Sequence, residues 1–210
     1  MFITFEGIEG CGKTTQIKRF VKRLRKYEIP LIMTIEPGGT KVGKNIRRIL
    51  LDPRNKNLSP LTELILYAAD RAQHVEEVIK PALDQGKWVI CDRFTDATVV
   101  YQGIARGQDM RLVNILNKKA TQRIRPDITF LLDCPVDMGL DRAIKRNEAP
   151  THKGQDRFER ETLDFHKEIR KGYLDLARKD KKRFIIIDAT LPKDEVEEKI
   201  FQYIKPYLNV

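Results

Sequence analysis

Gly7, Ile8, Glu9, Gly10, Cys11, Gly12, Lys13 and Thr14 stand in the spacing G-x-x-x-x-G-K-[ST]. Glycines so spaced let the main chain bend until successive N–H groups point inward at phosphate oxygens. A helix opening straight after them adds the positive end of its dipole. Lys13 is placed to neutralise β- and γ-phosphates, the Thr14 hydroxyl is a ligand for Mg²⁺, and Thr15 follows in the first turn. The chemistry of this run is capture of a nucleoside triphosphate tail. Glu9 is the odd member, since an acid among phosphate-binding amides is unfavourable unless it points elsewhere. Cys11 sits beside Lys13 at a helix N-terminus, where thiols become reactive. The simpler reading of Cys11 is a small residue that fits the loop.

A second cationic feature lies at Asp92-Arg93. It directly follows an apolar run, where α/β sheets place ligands. A planar guanidinium there can hold a phosphate bidentately.

The elements that must position these residues alternate along the chain. Apolar, β-branched runs at 2–5, 31–35, 88–91, 128–132 and 184–187 read as strands. Helical patterns fall at 14–27, 42–51, 61–84, 109–123, 136–146, 159–178 and 194–207. Ser59-Pro60 is a helix start, and Pro81 is expected to end or kink the long segment that follows. Strands buried on both faces and separated by helices call for a parallel sheet in an α/β fold. The polar stretch 147–155 divides two helical patterns and reads as the tip of a lid.

The chain has 210 residues, long enough for one domain with a large core. Hydrophobic residues make up 41%, which excludes a mainly disordered chain. No apolar run is long enough to cross a bilayer. The opening MFITFEG enters a strand-like run without a basic segment, so no secretory signal is expected. Cys11, Cys91 and Cys134 are too few and scattered for a disulfide framework or a zinc site, and a reducing, cytoplasmic setting is the expectation. Forty Lys+Arg against thirty Asp+Glu leave a net charge of +10. That surplus suits nucleic acid, an anionic small substrate or a solvated surface equally. In 14–27 the residues Ile17, Phe20, Val21 and Leu24 form an apolar stripe, so Lys18, Arg19, Lys22 and Arg23 read as its solvated face.

Three classes of triphosphate-binding protein compete. A GTPase needs N-K-x-D after a strand; Asn117-Lys118-Lys119-Ala120 lacks the Asp and sits in a helical pattern. A basic nucleic-acid-binding ATPase would interleave aromatics with its basic stripe, whereas here they fall in core patterns. A small-molecule kinase needs a second anion site and a cationic lid, and both are present.

The chain resembles thymidylate kinase over nearly its whole length. The resemblance rests on GIEGCGKTTQ at 7–16, EPGGT at 36–40, ADRAQH at 69–74, DRFTDATVVYQG at 92–103, PDITFLLD at 126–133, DRFERE at 156–161 and IIIDAT at 185–190. It implies a three-layer α/β P-loop fold of the nucleoside-monophosphate-kinase type: one domain over 1–210, a five-stranded parallel sheet flanked by helices, and a mobile lid near 142–160. It implies transfer of the γ-phosphoryl of ATP to dTMP with Mg²⁺, giving dTDP and ADP, in a cytoplasmic homodimer that binds neither nucleic acid nor membrane. The alternatives are another P-loop deoxynucleotide or deoxynucleoside kinase and, in a different class, the nucleic-acid-binding ATPase.

The resemblance also distributes roles. Lys13, Arg93, Arg157 and Asp92 carry the catalysis, with Thr14 and Asp92 toward the metal. Residues 7–15 cradle the donor. Arg93 and Arg47 meet the acceptor phosphate, while Glu36 and Pro37 bring the backbone close to it. Tyr67 stacks on the base, and Arg71, one turn later on the same face, donates to its O4. Thr98 and Gln102 are polar contacts near the base, Tyr101 lies under the deoxyribose, and Glu9 points at the 3′-hydroxyl. The family often has Arg where Ile35 stands, Phe at Tyr67 and Ser at Ala97. Gly10 is Arg in the eukaryotic-type branch; in the bacterial-type branch the lid supplies that charge. Arg157 is the leading candidate for it, with Arg146 and Lys153 behind. Arg142, Lys145 and Arg160 are the remaining lid cations.

Overall fold

The computed structural model describes residues 1–147 and 157–208. Its sheet has five parallel strands in the order β2-β3-β1-β4-β5: β1 (Phe2–Glu6), β2 (Leu31–Ile35), β3 (Trp88–Asp92), β4 (Ile128–Asp133) and β5 (Phe184–Asp188). The register pairs Phe5 and Ile35 with Asp92, and Asp133 with Asp188, so every strand ends along one edge. The central strands β1, β3 and β4 are buried on both faces, as their apolar composition requires, while the edge strands β2 and β5 leave Met33 and Ile186 exposed. Ile3, Phe5 and Ile90 pack with Ile17 and Phe20 of α1 (Lys13–Leu24); Phe2, Val89 and Cys91 pack with Val75, Ile79 and Ala82.

The helices start where capping chemistry puts them. Thr40 accepts from Gly43 N to open α2 (Lys41–Leu51), and Ser59 accepts from Thr62 N, with Pro60 in the first turn, to open α3 (Pro60–His74). The expected kink at Pro81 takes a specific form. A π-helical turn at Val75–Ile79 separates α3 from α4 (Lys80–Asp84), ahead of a residue with no N–H to donate. After β3 comes a helix the sequence patterns did not announce: α5 (Thr95–Thr98), running into a π-helical turn at Val99–Ala105. Thr and Val disfavour helix intrinsically; burial of Val100, Tyr101 and Gln102 overrides that preference. The remaining helices are α6 (Met110–Ala120), α7 (Val136–Asn147), α8 (Leu163–Lys179) and α9 (Lys193–Ile204).

The α1 stripe is buried as expected, and Lys18 and Lys22 face solvent. The solvated-face reading needs correction at Arg19 and Arg23. Arg19 pairs with Glu197 and Asp194, while Arg23 pairs with Glu198 and lies over the Phe201 ring, so these two cations join α1 to α9.

Candidate active site

The strand ends open into a cavity of about 710 Å³, floored by residues 9–16 and walled by the segments that follow β2, β3 and β5 together with α3 and α7. At the floor Gly12 takes a left-handed conformation, φ 97°, and hands the chain directly to α1. The Lys13 ammonium donates to the carbonyls of Gly7 and Ile8 at 2.9 and 2.8 Å. The Thr14 hydroxyl donates to Asp92 Oδ2 at 3.0 Å. A hydroxyl and a carboxylate so close offer the all-oxygen donor set that Mg²⁺ prefers, with room for water and phosphate to complete it. Among the described residues there is no dense cluster of His, Cys, Asp and Glu that would suggest a different metal.

Gly10 shows why this loop carries no arginine of its own. It adopts φ 67°, and a Cβ there would run into the carbonyl of Gly139 on α7. The fit is reciprocal, since a Cβ on Gly139 would sit 2.6 Å from the Glu9 carbonyl. The close approach brings α7, and with it Arg142 and Arg146, against the phosphate loop. Those two arginines, one helical turn apart, both line the cavity.

Arg93 stands just past β3 with φ 69°, a conformation uncommon outside glycine and often held at functional sites. Its Nη1 donates to the Tyr173 hydroxyl and its Nη2 to Glu9 Oε1, both at 3.0 Å, and its guanidinium lies over the Tyr101 ring. The Tyr101 hydroxyl donates to the same Glu9 oxygen at 2.5 Å. Glu9 thus turns away from the loop amides and braces the arginine. Burial alone would raise its pKa, but His166, Arg93, Lys13 and Tyr101 outweigh it and hold the carboxyl at about 2. Glu6 has the opposite fate. Burial first, then Asp96, push it up to about 7, although it accepts from Phe94 N and the Tyr173 hydroxyl.

Arg71 is buried. Its Nε donates to Glu36 Oε2 at 2.8 Å, Nη1 to Thr98 Oγ1 and Asn117 Oδ1, and Nη2 to the Phe94 carbonyl. These bonds take four of the five N–H groups of a guanidinium. His74 holds the other oxygen of Glu36 at 2.9 Å. Arg47 donates to the Pro37 carbonyl at 2.8 Å and faces the cavity, where burial lowers its pKa. Tyr67, Thr98 and Gln102 line the same cavity, and burial raises the Tyr67 pKa. Near the phosphate loop, Ala189 and Leu191 border the cavity, and Arg142 donates to the Ala189 carbonyl at 3.3 Å.

One assignment must be corrected. Arg157 does not reach the cavity. It is buried, with Nη2 on Glu63 Oε2 and Nε on the Leu50 carbonyl, each at 2.5 Å, because Glu63 is an enclosed carboxylate that needs a cationic partner. Arg146 takes the cavity position instead, paired to Glu159 at 2.9 Å. Lys153 lies outside the described residues. Reasoning from sequence also missed Glu6, Tyr173, His166, Asn117 and Glu63. Only Glu6, an acid ending the strand before the phosphate loop, carried a positional signal.

The fold and this cleft define a P-loop phosphotransferase. The family model for thymidylate kinase matches residues 5–200, and the chain belongs to the thymidylate kinase family. It is 56% identical over 197 residues to the thymidylate kinase of Desulfosudis oleivorans, covering 93% of this chain and 92% of that one. It is 52% identical over 209 residues to that of Syntrophotalea carbinolica, covering 100% and 97%. The crystal structure of thymidylate kinase from Ehrlichia chaffeensis superposes with a TM-score of 0.78 at 32% identity, covering 97% of this chain and 98% of that one.

Proposed function

We propose that the chain, acting as one kinase domain, transfers the γ-phosphoryl of ATP to the 5′-phosphate of dTMP. An oxygen of the acceptor phosphate attacks the γ-phosphorus. A new P–O bond forms, the bond to the β-phosphate's bridging oxygen breaks, and ADP leaves with that electron pair. The second pKa of a phosphate monoester is about 6, so the nucleophile is largely dianionic at neutral pH and needs no strong base. The barrier is repulsion between two polyanions, and catalysis is charge neutralisation with in-line positioning. Lys13 and the loop amides hold the donor. Arg93 and Arg47 hold the acceptor phosphate, and Arg146, carried in by α7, neutralises the transferring group. Tyr67, Arg71, Thr98 and Gln102 receive the base, with Tyr101 beneath the sugar. Glu9 serves the sugar hydroxyl as well as bracing Arg93. Thr14 and Asp92 would hold Mg²⁺, which would supply further neutralisation of phosphate charge.

The carrying observation is that the phosphate loop, Arg93 and Arg47 open on one cleft that Tyr67, Arg71 and Gln102 also line. A homodimer follows from the family resemblance. A cytoplasmic setting accords with three free, buried cysteines and with no described helix long and apolar enough to span a membrane. The test is a coupled ADP-release assay across dTMP, dUMP, dCMP and thymidine. dTMP is expected to give the highest kcat/KM, and Lys13→Ala to abolish turnover with the fold intact. ADP release stimulated by DNA and indifferent to dTMP would overturn the assignment.

A further inference from the structure

Glu63 is buried on the first turns of α3, and both its oxygens accept. Oε1 takes the Gln102 side-chain Nε2 at 2.9 Å, with the Arg106 Nε at 3.4 Å; Oε2 takes Arg157. Arg106 is itself tied to Glu161 at 2.5 Å, and Arg157 to the Leu50 carbonyl. Both Glu63 oxygens face N–H donors. The amide facing the carboxylate must therefore present its NH₂ group, and the Gln102 carbonyl oxygen is left as the polar atom for any other partner. Gln102 lines the same cavity as Tyr67 and Arg71.

We infer that Glu63, clamped by Arg157, is a positioning residue that fixes the Gln102 amide with its acceptor toward the base, and so sets which pyrimidine the cavity takes. The inference rests on the dTMP reading above. Arg71 keeps one N–H after its four internal bonds, a donor suited to a 4-keto oxygen. A fixed acceptor beside it suits an N3–H. Thymine and uracil carry both groups. Cytosine carries an amino group and a bare N3, so it meets donor with donor and acceptor with acceptor. A site built to pair polar groups rejects the analogue that leaves them unpaired. Arg157 thus acts on the base through Glu63 and not on the phosphates.

The test is selectivity. In Glu63→Gln the facing side chain can either donate or accept, and Gln102 is free to turn over. The ratio of kcat/KM for dTMP over dCMP is expected to fall about tenfold, the scale of one hydrogen bond. The change should lie in KM, and the dTMP over dUMP ratio should hold, because those two bases are alike at N3 and O4. The double variant Glu63→Gln/Arg157→Met removes both charges of the buried pair, leaves neither unpaired, and should give the same result. In the unaltered protein, N3-methyl-dTMP keeps O4 and the phosphate but offers no N3–H; it should bind at least about tenfold more weakly than dTMP. The inference is overturned if both ratios move together, if neither moves, or if the methylated nucleotide binds like dTMP. An unaltered protein with no preference for dTMP would instead remove the parent reading.

Discussion

Arg157 and Arg146 have separable jobs, and substituting each by Met should produce opposite phenotypes. Arg157→Met leaves Glu63 in the interior with its Oε2 unpaired. Breaking a buried pair from one side costs roughly 3–5 kcal/mol. The lower end applies here, because Arg106 still approaches Oε1 at 3.4 Å. About 3 kcal/mol in a chain of this size lowers Tm by roughly 6–12 °C. Arg146 is 46% exposed on the side-chain scale and bonded to Glu159, a pair whose loss costs under about 1 kcal/mol. Its proposed role is toward charge that develops in transfer, where an arginine contributes ~10³ or more to kcat, about 4 kcal/mol of barrier. Differential scanning fluorimetry and ADP release at saturating dTMP read the two quantities separately. Arg157→Met should melt early with kcat within a few-fold of normal, and Arg146→Met should melt normally with kcat down about a thousandfold. The reverse pattern, kcat lost at Arg157 with Tm preserved, would refute the placement of both side chains.

Three further outcomes are expected. Gly10→Ala meets the Gly139 carbonyl at φ 67°, so it should lower both Tm and activity, the conformation alone costing about 1–2 kcal/mol; an unchanged Tm would show that α7 does not pack as described. Asp92→Asn removes a charge 3.0 Å from the Thr14 hydroxyl and should raise the Mg²⁺ concentration needed for half-maximal rate, with KM for dTMP little changed. Glu9 has a folded pKa of about 2 against 4.5 for the free group, so its contribution is full above 4.5 and is lost as pH falls toward 2. That shift is worth about 3 kcal/mol, and urea unfolding of Glu9→Gln between pH 2 and 7 should show a flatter acid limb than the unaltered protein.

The strands, the phosphate loop and most helices were legible because their signals are local: β-branched apolar runs, a glycine-lysine spacing, an N-cap followed by proline. The helix over Thr95–Thr98 and its π-helical continuation were not. Thr and Val vote against a helix one residue at a time, and only burial against the rest of the molecule reverses them. Arg93 stood out by its place after a strand, whereas Arg47, Arg71 and Gln102 were carried over from the family resemblance; all four line the cavity. Arg157 was misplaced for a physical reason as well. A basic side chain beside a polar loop reads as free to reach a phosphate, whereas its partner Glu63 lies 94 residues away and is visible only once α3 is folded against it.

Each arginine lining the cleft bonds to an acceptor of the protein: Arg93 to Glu9, Arg71 to Glu36, Arg47 to the Pro37 carbonyl, Arg146 to Glu159, Arg142 to the Ala189 carbonyl. Without those acceptors, neighbouring guanidinium groups would repel and turn to solvent before any ligand arrived. With them, the donors stand oriented in advance, which is where electrostatic catalysis gains most. How completely an arginine is engaged also grades its task. Arg71, with four N–H groups spent, has one left for a single carbonyl oxygen. Arg93 makes one hydrogen bond from each terminal nitrogen to the described residues, so each keeps a second N–H for a phosphate that takes several. The proposed division between base recognition and phosphate handling thus rests on the bonds the arginines already make, more than on the +10 charge of the chain.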